Sequence, residues 1–70
     1  MNIDHVVLRL NRAIAVLTAA KLDAQDMADP DSIINKKLLA DEFFENLFEA
    51  QVAITKATSA MARAIAEEEG

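Results

Sequence analysis

From Met1 to Glu69 the chain holds one proline, Pro30, and no glycine. Proline fits the first turn of a helix but breaks one further in, because its ring clashes with the preceding turn and it lacks an N–H. The residue before it is also pushed away from helical geometry. A chain with a single such breaker has one clear place to turn. The segment Asp29-Pro30-Asp31-Ser32 therefore separates two helical runs. Asp29 is positioned to cap the second run with Pro30 at its first helical position, and Asp31 then falls where the helix dipole favours a negative charge.

Composition narrows the remaining choices. Fourteen of the 70 residues are alanine, the best helix former, and the scarcity of glycine and proline disfavours a β fold, whose turns need them. The absence of cysteine removes disulfides, and one histidine without cysteine offers no ordinary structural zinc site. A core in so short a chain seldom yields more than roughly 3–5 kcal/mol, so self-association is the remaining route to stability. The net charge of −5 disfavours general binding to nucleic acid. Near the N-terminus the longest uncharged run is Ala13–Ala20, well short of the roughly 18 residues of a membrane span, and no signal-peptide pattern is present. A cytoplasmic protein without a membrane segment is expected.

The first helix is predicted from about Ile3 to Met27. Its large apolar residues Ile3, Val7, Leu10, Ile14 and Leu17, continued by Lys21 and Ala24, repeat at alternating spacings of four and three, the heptad of a packed seam. Val6, Ala13 and Ala20 flank that row, Leu8, Ala15 and Leu22 form another, and His5, Arg9, Arg12 and Asp23 are assigned to the far side.

The second helix is predicted unbroken from about Asp31 to Glu69, with Ala40-Asp41-Glu42 as the one candidate break. Its heptad seam is Ala40, Phe44, Leu47, Gln51, Ile54, Thr58, Met61 and Ile65, flanked by Phe43 and Phe48. Gln51 and Thr58 are polar residues in a seam, which can fix register. A second stripe, Ala50, Ala53, Ala57, Ala60 and Ala64, follows the same spacing. It admits two readings, exposed helix formers or close helix contact, and periodicity does not separate them. Glu42, Glu45, Glu49, Lys56, Arg63 and Glu67 form a polar strip.

These rows predict an all-α fold: an antiparallel two-helix hairpin with heptad, coiled-coil-like seams, self-associating into a dimeric four-helix bundle or a higher oligomer. Val7, Leu10, Ile14 and Leu17 would bury against Phe44, Leu47 and Ile54 within the chain. With a turn near Asp29, Ile3 would lie opposite about residue 56, at 1.5 Å per residue, leaving residues 57–69 overhanging. A second copy would cover that overhang, so the expected oligomer interface is Phe43, Phe48, Ala57, Met61, Ala64 and Ile65.

Chemistry has little foothold. Ser32 and Ser59 lack a neighbouring base, and His5 stands alone. Glu42, Glu45 and Glu49 share a face but have no Glu-x-x-His partner, and Asp29, Asp31 and Asn35 lack the glycine and terminal glutamate of a calcium loop. No catalytic, cofactor-binding or metal-ligating residue is assigned. The expected function is a non-enzymatic interaction or regulatory module that homo-oligomerises. The alternative is a small acidic antagonist, phage- or plasmid-like, that offers Glu42, Glu45 and Glu49 to a basic partner protein. Nucleic-acid contact through Arg9 and Arg12 ranks behind both.

Overall fold

The computed structural model describes residues 1–69. Helix α1 (Asp4–Ala28) and helix α2 (Lys36–Glu69) pack against each other as an antiparallel hairpin about 56 Å long and 14 by 11 Å across. Among the described residues there is no strand, and no helix is long and apolar enough to cross a membrane. Asn2 starts α1, its Oδ1 accepting the Asp4 N–H at 3.0 Å. α2 is continuous through Ala40-Asp41-Glu42, since nothing there removes a backbone donor.

The second helix begins at Lys36, five residues later than Pro30 suggests. Local side-chain bonds explain the delay. Asp29 Oδ1 accepts the Asp31 N–H, Ser32 Oγ accepts the Ile34 N–H, and Asn35 Oδ1 accepts the Lys37 N–H. Each bond spans two residues and offers the backbone an alternative to helical pairing. Asp29 thus ends α1 rather than capping α2, with extended backbone at ψ 116°, and Asn35 takes the capping role.

The longer connector moves the register. Asp23 Oδ2 accepts a hydrogen bond from Asn46 Nδ2 at 3.0 Å, and the Met1 amino group lies 3.3 Å from Glu68 Oε2. Residues whose numbers add to about 69 therefore face each other. α1 runs opposite about residues 41–65, most of the length of α2, and the expected overhang of residues 57–69 does not exist.

The seam is the alanine stripe. Buried residues are Val6, Ala13, Val16, Ala20 and Asp23 on α1, and Leu39, Ala50, Ala53, Ala57 and Ala64 on α2. Half-buried Arg9, Met27, Phe43, Asn46 and Ala60 fill the same rows, so positions in each row are three and four apart. The expected inner row of Val7, Leu10, Ile14 and Leu17 against Phe44 and Ile54 is exposed instead. Alanine side chains let two axes approach toward the short end of the roughly 8–10 Å range, and that closeness recovers dispersion contacts along the whole length. Leu39 closes the connector end of the seam.

Two further expectations are corrected at the seam. Thr58 is exposed and its hydroxyl donates to the Ile54 carbonyl of its own helix at 3.0 Å, while Gln51 faces solvent. The polar pair inside is Asp23 with Asn46. Asp23 lies three residues after Ala20, on the buried row and not on the far side.

Two substitutions test this packing. Ala57→Leu is expected to wedge the helices apart and cost about 1–3 kcal/mol, with exposed Ala62→Leu close to neutral, as read by urea unfolding. Asn46→Leu leaves the Asp23 carboxylate buried without its donor and is expected to destabilise by about 1–3 kcal/mol, a loss that adding Asp23→Leu should reduce.

Candidate functional site

The closed seam divides the remaining surface into two unlike sides. In an antiparallel pair, residues just beyond the seam on one side of α1 meet the matching positions of α2. A groove of about 440 Å³ shows which rows share a side: it is lined by Ala24, Met27 and Ala28 of α1 and by Ala40, Phe43 and Phe44 of α2. Ala24 continues the row Ile3, Val7, Leu10, Ile14 and Leu17, and Ala40 and Phe44 begin the row Leu47, Ile54, Met61 and Ile65. The two rows of large apolar residues therefore form one side of the hairpin.

That side is open to water. Ile14 is 61% exposed and Phe44 66%, and Ile3, Val7, Leu10, Leu17, Ile54, Met61 and Ile65 are all exposed. Phe43 stacks edge-on against Phe44, ring centres 5.5 Å apart, and so links the seam to the outer row. Scattered apolar residues on a surface are ordinary, whereas these stand in two adjoining rows along the hairpin. Lys21, Gln51 and Thr58 are its polar interruptions.

The opposite side is polar. Arg9, Arg12, Phe48, Glu49, Val52 and Lys56 line one groove of about 240 Å³. His5, Arg9, Lys56, Ser59 and Arg63 line the next, of about 380 Å³. Arg12 Nη2 donates to Glu49 Oε2 at 2.7 Å, an exposed pair of the kind that contributes little stability. Toward the connector this side becomes acidic, where Glu42 and Glu45 stand exposed.

The residues expected at an oligomer interface are split among these surfaces. Met61 and Ile65 lie on the apolar side, and Phe48 lines the polar groove. Ala57 and Ala64 are buried between the chain's own helices, and Phe43 is half-buried there, so α1 already covers what a second copy was expected to cover. Glu42, Glu45 and Glu49 share the polar side as their spacing implies, with Glu49 committed to Arg12. His5 and Arg9 joining Lys56 and Arg63 in one groove was not legible from either helix alone.

Among the described residues no group of three or more His, Cys, Asp or Glu side chains could hold a metal ion. Comparison of the chain with models of protein families, with curated proteins and with solved structures finds no match.

Proposed function

We propose that this protein is a non-enzymatic helical interaction module that homo-oligomerises, two hairpins joining their apolar sides into a four-helix bundle with heptad, coiled-coil-like seams. One observation carries the reading: the chain closes mainly on its alanines, with Val6, Val16 and Leu39, and leaves most of its other large apolar residues exposed. Burying a Leu, Ile, Val or Phe side chain yields about 1.5–3 kcal/mol, whereas an alanine methyl yields about 0.8 kcal/mol. A lone hairpin gains more by turning the large row inward. Turning it outward is favourable when a second surface covers it.

The dimensions suit a second copy. A side about 56 Å long and 14 Å wide approaches the roughly 800 Å² per partner that standard interfaces bury. The apolar row spans nearly the full length of α1, from Ile3 to Ala24. Paired bundles of this kind bury such rows between facing helices.

Sedimentation equilibrium of the full chain should give a mass of at least twice 7.6 kDa, with a thermal midpoint that rises with concentration. Ile14→Glu and Ile54→Glu, each placing a charge in the joined surface, are expected to weaken association at least about a hundredfold. A cooperatively folded 7.6 kDa species with a concentration-independent midpoint overturns the reading.

A further inference from the structure

The polar side carries a pattern that the apolar side does not use. Along one line of α2 stand Glu42, Glu49, Lys56 and Arg63, seven residues apart: two acids, then two bases. Seven residues are close to two helical turns, about 10.5 Å, so the four charges point the same way.

Within the hairpin this line meets its own sign. In the observed register Arg12 lies opposite Lys56 and Asp26 opposite Glu42. The first groove agrees, since Arg12 and Lys56 both line it. Arg12 escapes by reaching along the seam to Glu49. Lys56, Arg63, Glu42 and Glu45 form no ion pair among the described residues. Arg9, Arg12, Lys56 and Arg63 make the open half of this side mainly basic, with Glu67 beside Arg63 at its end, and Asp26, Glu42 and Glu45 make the connector half acidic.

We propose that this polar side pairs with the same side of a second copy running antiparallel. A two-fold axis near Val52 and Ala53 sets Glu42 against Arg63 of the second copy and Glu49 against Lys56 of the second copy, each pair occurring twice. The basic half of each hairpin then lies on the acidic half of the other. A parallel arrangement would set acid on acid and base on base along the whole line. Leu8 and Leu22, exposed on the α1 row of the same side, add apolar surface. The acids on this side and the net charge of −5 disfavour a polyanion as occupant. The surface lies opposite the apolar side, so the two contacts are independent. When both form, each hairpin touches two neighbours and assembly extends beyond a dimer.

Sedimentation of the full chain at about 50 mM and about 500 mM salt reads this contact, because salt screens exposed pairs. Association through the polar side should weaken at least about tenfold at the higher salt. Lys56→Glu with Arg63→Glu makes the line all acidic, and Glu42→Lys with Glu49→Lys makes it all basic. Each double variant should lose the salt-sensitive association, and an equimolar mixture of the two should regain it. The single variants Arg63→Glu and Glu42→Lys, which break no ion pair within the chain, repeat the test should a double variant unfold. A mixture that fails to associate, or variants that assemble as wild type does, overturns the proposal. So does a fluorescent single-stranded oligonucleotide binding the basic half while the mixture stays apart. Ile14→Glu separates the two readings: salt-sensitive association that survives in it belongs to the polar side, and salt-insensitive dimers in the double variants belong to the apolar side.

Discussion

Close contact between alanine rows is the constraint from which the other features follow. Ala13 and Ala20 on α1, with Ala50, Ala53, Ala57 and Ala64 on α2, let two helices approach closely over most of their length. Val16 is the largest residue enclosed at the middle of that seam, and the polar pair Asp23 and Asn46 satisfies itself there. The cost of so small a seam is modest hydrophobic gain per residue. The gain in return is that both flanks of the pair are free to carry other chemistry.

Those flanks diverge because the rows beside a seam are fixed once the seam is chosen. Each helix has one row on either side of its buried positions. In an antiparallel pair the matching rows of the two helices come together. Hence Ile14 and Leu17 share a side with Ile54 and Met61, and Arg9 and Arg12 share the other with Lys56 and Arg63. Neither side needed separate design beyond its sequence row. The hairpin thus carries one apolar side and one side of divided charge, two surfaces of unlike chemistry.

Much of the architecture was legible along the chain. Helix, turn and hairpin follow from one proline, abundant alanine and unbroken spacings of four and three. The choice of row was not. Periodicity marks every row of a helix equally, and size pointed to Ile3–Leu17 and Phe44–Ile65 when the alanines were the ones enclosed. The start of α2 was also missed by five residues, because Pro30 permits a helix but the side chains of Asp29, Ser32 and Asn35 each hold a local turn. That small error had a large consequence, since it shifted the register and created an apparent overhang. The interface residues assigned from it were accordingly a mixture, with Met61 and Ile65 on the open apolar side but Ala57 and Ala64 enclosed.

By itself, then, the order of residues determined that the chain is two helices turning near Pro30, and which residues share a row on each. Local forces suffice for that: backbone propensity, capping and the 3.6-residue turn act within a few residues. Which row faces inward, which residues stand opposite, and that four bases from two helices border a common groove were decided only by tertiary structure. Those outcomes depend on how near two axes can come and on the length of the connector, and both are properties of the pair and not of either helix.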